Sequence, residues 1–116
     1  MSDTCGIYKI ENLINHQVYI GQSININKRW REHKSAAFNS NSKDYNMVIY
    51  KAIRKFGLKN FSFTVLEECS LEDLNKKEIQ WIKYYDSYYH GYNATLGGDT
   101  NHFDFGQPIE LYNLKG

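Results

Sequence analysis

Apolar and polar positions alternate with different periods along the chain, and each change of period marks an element. Gly6-Ile7-Tyr8-Lys9-Ile10-Glu11 and Gln17-Val18-Tyr19-Ile20-Gly21 are rich in β-formers and flank the turn-prone Asn12 and Asn15, which predicts a hairpin. A connection centred between Leu13 and Ile14 puts Tyr8 opposite Tyr19, with both phenols on one face, whereas a tighter turn at Asn15-His16 separates them. The pattern fits either register, and a sheet-stabilising tyrosine pair accounts for the first as well as a functional site does.

Helical periods follow. Ser23 is placed to cap a helix running to about Phe38, with Ile26, Trp30 and Ala37 on one side. Arg29 and His33, four residues apart, border that stripe and form either a local pair satisfied by Glu32 or by the hairpin, or a small anion site. After the polar linker Asn39-Ser40-Asn41-Ser42-Lys43-Asp44, the stretch from Met47 to Phe56 sets Val48, Ile49, Ala52, Ile53 and Phe56 against Lys51, Arg54 and Lys55, and Gly57 stops it. Phe61-Ser62-Phe63-Thr64-Val65-Leu66 reads as a third strand completing an antiparallel sheet. Ser70 is placed to cap a last helix from Leu71 to about Tyr85, whose apolar stripe of Leu71, Leu74, Trp81, Ile82 and Tyr85 holds Glu78 near its middle. Gly91-Tyr92-Asn93 and a Gly97-Gly98-Asp99 turn come next. The final stretch from Pro108 to Gly116 resembles the opening of another β element.

Composition narrows the class. A chain of 116 residues, 41% hydrophobic and 16% aromatic with a single Pro, suits one globular domain and excludes collagen-like or Pro-rich disorder. No apolar run approaches the ~18 residues of a membrane span, and the first residues lack a signal-peptide pattern, so a soluble, cytoplasmic protein is expected. Cys5 and Cys69 have no CxxC partner and are expected to be reduced and buried.

Charge changes the picture more. The net charge is +1, but residues 24–60 carry nine bases against two acids, leaving five bases and eleven acids elsewhere. A basic flank of this kind can dock a phosphate backbone, although scattered lysines and arginines usually mark a solvated face. Glu78 is the sharper anomaly, because burying an ionised carboxylate without a partner costs several kcal/mol. Three readings meet that cost: an arginine such as Arg29, a divalent metal with room for a substrate, or a side chain that reaches solvent from the stripe's edge.

The set Gly6-Ile7-Tyr8, Tyr19-Ile20-Gly21, Arg29 with His33, Glu78 ahead of Trp81-Ile82, and Gly91-Tyr92-Asn93 resembles the GIY-YIG nuclease family, in order and spacing, over roughly residues 5–98. The resemblance implies an α+β domain with a three-stranded antiparallel sheet flanked by helices, spanning residues 1–98. It implies a metal-dependent endonuclease that hydrolyses phosphodiester bonds in double-stranded DNA with one Mg²⁺ or Mn²⁺ ion. The nearest branch is the catalytic domain of phage or intron-encoded homing endonucleases. Residues 99–116 then read as a linker or tail, similar to the start of a DNA-binding module that this chain lacks, and the module is expected to act as a monomer.

Under that resemblance Tyr8 accepts the proton of the attacking water, directly or through a relay, and Tyr19 orients the water or the scissile phosphate. Arg29 binds the phosphate, His33 assists Tyr8, Glu78 ligates the metal and Asn93 braces the site. Lys28, Arg31, Lys34, Lys51, Arg54 and Lys55 are the expected DNA-binding positions. A second His found in some homing members after the first helix is absent here, where the chain reads Lys43-Asp44-Tyr45-Asn46. The residues themselves add one condition: a phenol of ordinary pKa near 10 works as a base at neutral pH only if its neighbours lower it. Two competing readings are a non-catalytic nucleic-acid-binding module and a repair or restriction nuclease of the same family. The first leaves a carboxylate at Glu78 without a purpose.

Overall fold

The computed structural model describes residues 4–97. Strands β1 (Gly6–Asn12), β2 (Val18–Ser23) and β3 (Phe61–Glu68) form an antiparallel sheet in the order β2-β1-β3, so the hairpin is extended by β3 on its β1 side and β2 is left at an edge. Helices α1 (Ile26–Ala37) and α2 (Val48–Phe56) follow the hairpin, and α3 (Leu74–Tyr85) and the short α4 (Ser87–His90) follow β3. The expected fold class is observed. Among the described residues no helix is long and apolar enough to cross a membrane.

The alternation of the strands separates two cores. Tyr8 and Ile10 on one face pack with Ile26, Ala37, Ile49 and Ile53 of α1 and α2. Ile7, Val18 and Ile20 on the other face pack with Leu74 and Ile82 of α3. Both faces of the β1–β2 hairpin are therefore largely buried, at about 25 cal/mol per Å² of apolar surface removed from water, and the stripes read from the sequence are the surfaces that do it.

Hairpin register is where the sequence was ambiguous. Tyr8 pairs with Gly21 and Ile10 with Tyr19, so the connection is centred between Ile14 and Asn15. Tyr8 and Tyr19 share a face, as the first register supposed, but they are diagonal neighbours with ring centroids 6.5 Å apart rather than directly opposed. The turn explains the shift: Asn12 Oδ1 accepts the Ile14 N–H, Asn15 Oδ1 accepts the Gln17 N–H, and His16 takes a positive φ of 65°.

Two helix starts differ from expectation. Asn25, not Ser23, caps α1: its Oδ1 accepts the Lys28 N–H at 3.1 Å, while Ser23 Oγ accepts the Asn25 N–H one step earlier. Ser70 does not cap a helix through its side chain. Its hydroxyl lies 3.2 Å from Asp73 Oδ2, and Leu71–Asp73 form a 3₁₀ turn before α3 begins. The stop after α2 is as expected, with Gly57 at φ 92°.

Cys5 and Cys69 are half-buried free thiols rather than fully buried ones, and they meet just beyond the β1–β3 ladder, where the Cys69 N–H donates to the Cys5 carbonyl. The expected β element at 108–116 and the tail assigned to 99–116 lie outside the described residues.

Candidate active site

β2 is one of the two edge strands, and the site is built around it. Tyr19 and Gly21 face α1 and α2, whereas Ile20 and Gln22 face α3. Tyr8 from the central strand lies across Gly21, and a Cβ at that glycine would fall 2.3 Å from both Cζ and Oη of the phenol. Only a residue without a side chain lets the ring pass there. From the other face α3 brings Glu78, buried to 8% exposure, against Gln22, whose Nε2 donates to Glu78 Oε1 at 3.0 Å and to Asn75 Oδ1 at 2.7 Å. Tyr8, Tyr19, Gly21, Gln22, Arg29 and Glu78 all line one cleft of about 260 Å³.

Glu78 is buried to 8% exposure rather than extended from the stripe's edge, and what it shows to solvent it shows to the cleft. Arg29 shares the cleft but makes its ion pair with Glu32 of its own helix, at 3.2 Å. That pair is solvent-exposed and contributes at most about 1 kcal/mol, so it holds the guanidinium only weakly. For a metal, the donor set is informative. Among the described residues no cluster of three or more His, Cys, Asp or Glu exists, so these residues build no closed cage for an ion. A hard carboxylate oxygen facing open volume fits an ion that keeps most of its waters, which is the habit of Mg²⁺.

Behind Tyr8 lies a buried polar chain. Tyr8 Oη is 2.6 Å from His33 Nε2, and His33 Nδ1 is 2.7 Å from Tyr50 Oη. His33 is fully buried, and Tyr8 and Tyr50 are each 1% exposed. Burial, followed by the charge of Arg29, drives the His33 pKa down to about 3, so the imidazole is neutral at physiological pH. Burial also pushes the Tyr8 phenol well above its ordinary range. Tyr19 adds to that rise, and the Arg29 guanidinium opposes it without cancelling it. The condition set for a phenol base is therefore not met by this chain's own side chains: desolvation outweighs the neighbouring cation.

Asn93 stands at the β2 edge as a substitute strand. Its Oδ1 accepts the Ile20 N–H at 2.8 Å and its Nδ2 donates to the Ile20 carbonyl at 2.9 Å, while Ser87 Oγ donates to the same Oδ1. Tyr92 N–H donates to the Val18 carbonyl beside it. The upper part of the edge is thus covered by the loop, and the Gly21–Ser23 end faces the cleft.

The expected DNA-binding positions are not equivalent. Lys28, Arg31, Lys51 and Lys55 are exposed, and Lys34 lies over the Trp30 ring. Arg54 is committed to the fold: its guanidinium donates to the Ala37 carbonyl at the end of α1 and stacks 3.7 Å from the Tyr45 ring centre. A shallow groove of about 340 Å³ continues from the cleft past Ser23 and Arg29 to Lys28.

Two residues of the site had not been picked out in the sequence. Gln22 follows the second motif directly, and strand parity alone puts it on Glu78's side of the sheet. Tyr50 carries no such signal, because it sits among Ile49, Ala52 and Ile53 and reads as core.

Comparison with known proteins gives consistent matches. The family model of the GIY-YIG catalytic domain matches residues 4–93. The chain is 34% identical over 98 residues to Intron-associated endonuclease 1 of Enterobacteria phage T4, a match covering 79% of this chain and 38% of that protein. This chain thus spans well under half the length of that relative. The solved catalytic domain of the homing endonuclease I-TevI superposes with a TM-score of 0.69 at 28% identity, over 78% of this chain and 98% of that one. A glutamate-to-alanine variant of the I-TevI catalytic domain gives 0.66 at 29% identity, over 79% and 94%.

Proposed function

The chain belongs to the GIY-YIG catalytic domain family, and from that premise we propose that it is the metal-dependent endonuclease module of a homing enzyme, hydrolysing phosphodiester bonds in double-stranded DNA. The observation that carries the reading is the convergence of Tyr8, Tyr19 and Arg29 from one side of β2 and Glu78 from the other on a single cleft. Phosphate binding alone has no use for a buried acid beside a guanidinium.

Each side chain then has a task set by its surroundings. Arg29 leaves Glu32 to hold the phosphate and to neutralise charge growing on its oxygens. Glu78, held by Gln22, holds one Mg²⁺ or Mn²⁺ ion, which when bound acts as a Lewis acid toward the phosphate. Tyr19 orients the water or the phosphate from the cleft wall. Tyr8 rests as the neutral phenol, and the small deprotonated fraction, its own proton having left by way of His33 Nε2 2.6 Å away, accepts the water's proton. The entering phosphate offsets the Arg29 charge that helps to hold His33 neutral. Lys28, Arg31, Lys34, Lys51 and Lys55 supply backbone contacts, and the groove toward Lys28 is a path for the strand. Sequence reading by the whole enzyme falls to parts beyond this domain, so binding by the domain itself is weak and salt-sensitive.

Supercoiled plasmid incubated with the chain and Mg²⁺ tests the reading, with EDTA and Glu78→Ala as controls. Conversion to nicked or linear DNA by the natural chain, lost in both controls, is the expected result. Cleavage that persists in Glu78→Ala would remove the metal assignment.

A further inference from the structure

Tyr50 lies outside the cleft, yet it closes the polar chain behind Tyr8. It comes from α2, whose other buried positions are Ile49, Ala52 and Ile53, and its hydroxyl is carried through that apolar layer to meet His33 Nδ1 at 2.7 Å. The opposite ring nitrogen meets Tyr8 Oη at 2.6 Å. We propose that Tyr50 is a positioning residue for the cleavage reaction, setting which nitrogen of His33 carries the proton and thereby whether the Tyr8 hydroxyl faces an acceptor or a donor. This rests on the nuclease reading for its consequence, though not for its chemistry.

The argument follows from the hydrogen-bond inventory of a neutral imidazole, which offers one donor and one acceptor. His33 is neutral because burial and Arg29 suppress its protonation. Its two phenol neighbours must therefore play opposite parts. When Nδ1 bears the proton and donates to Tyr50, Nε2 accepts from Tyr8, whose oxygen keeps its remaining lone-pair capacity for a proton from water. When Tyr50 donates to Nδ1, Nε2 bears the proton and donates to Tyr8. Burial pushes the Tyr50 phenol above its ordinary range, and Asp44 and Glu32 act in the same sense against Arg29, so Tyr50 stays a hydroxyl, and the part it takes at Nδ1 fixes the opposite part for Tyr8 at Nε2. A phenylalanine there serves neither. The geometry is that of an orienting partner of a functional histidine, held one shell away from the reacting atoms.

The test is Tyr50→Phe in the full chain, which removes one oxygen and preserves ring volume. Two-dimensional ¹⁵N spectra of the imidazole, recorded without DNA, report the His33 tautomer. Plasmid cleavage with Mg²⁺ at varied DNA concentration reports kcat and KM. The expected result is altered His33 ¹⁵N shifts together with a kcat lower by about 100-fold at nearly unchanged KM. Unchanged ¹⁵N shifts, or a changed tautomer with wild-type kcat, would overturn the proposal. Incorporation of 3-fluorotyrosine at position 50 keeps the hydroxyl but makes it more acidic. It must also move the His33 resonances, and this decides the matter should the phenylalanine variant not fold. A natural chain that does not cut DNA overturns the nuclease reading itself and with it the catalytic consequence, while the spectra still judge the contact.

Discussion

Tyr8 lies directly across the hairpin from Gly21, and its phenol occupies the space a side chain at that glycine would need. The first and second motifs are therefore sterically one unit. Gly21→Ala is expected to displace the ring and cost about 1–3 kcal/mol of stability by overpacking. Cleavage should fall more than stability, since the displaced hydroxyl leaves His33. Denaturant unfolding and plasmid cleavage on the same preparation check this, and a fully active variant of native stability would contradict the packing described.

The raised Tyr8 phenol sets the pH dependence. A group with a pKa well above 10 in the free chain is deprotonated to a small fraction that grows with pH. Initial rates at saturating Mg²⁺ should rise from neutrality to about pH 9 without reaching a plateau. Tyr8→Phe should lose both the rate and the slope. A flat profile would remove Tyr8 from proton transfer.

His33 predicts acid sensitivity of the fold. Its pKa is 6.5 in an ordinary setting and about 3 in the folded chain. Above 6.5 it is neutral in both states and its contribution to stability is complete. As pH falls toward 3 the unfolded chain takes up a proton that the folded chain refuses, and up to about 4–5 kcal/mol is progressively lost. Arg29→Gln removes the second cause of the depression, so it should soften this loss while abolishing cleavage. Urea midpoints at pH 4 and pH 7 for the two chains measure the difference.

Asn93 tests the edge of the sheet. Asn93→Ala removes both side-chain bonds to the Ile20 backbone, at about 1–3 kcal/mol for the buried groups left without partners. Hydrogen exchange at the Ile20 amide should accelerate at least as much as the global stability change requires. Unchanged protection at that amide would show the bonds to be dispensable.

Much of this molecule was legible before its structure. The three strands and the three long helices follow from alternation and helical spacing, and Glu78 betrayed itself by standing in an apolar stripe. What the sequence left open has definite causes. The hairpin register depended on Asn12 and Asn15 bonding their own backbone, which shifts the turn by a single position without changing composition. The cap of α1 moved from Ser23 to Asn25 because both can accept an amide proton two or three residues on, and pattern does not rank them. Tyr50 was hidden because its partner lies on another helix and its neighbours are aliphatic. The fate of Arg54 was hidden because a cation that stabilises a neighbouring helix end reads the same as one awaiting phosphate.

The placement of β2 at the sheet's edge carries a last consequence. One ribbon of backbone supplies phenol on its left and amide on its right, and a slip by a single residue would swap the two linings and empty both. The asparagine clamp on Ile20 is therefore a register lock, and it keeps the Tyr19 side of the strand in step with the Gln22 side, so that neither can drift without the other.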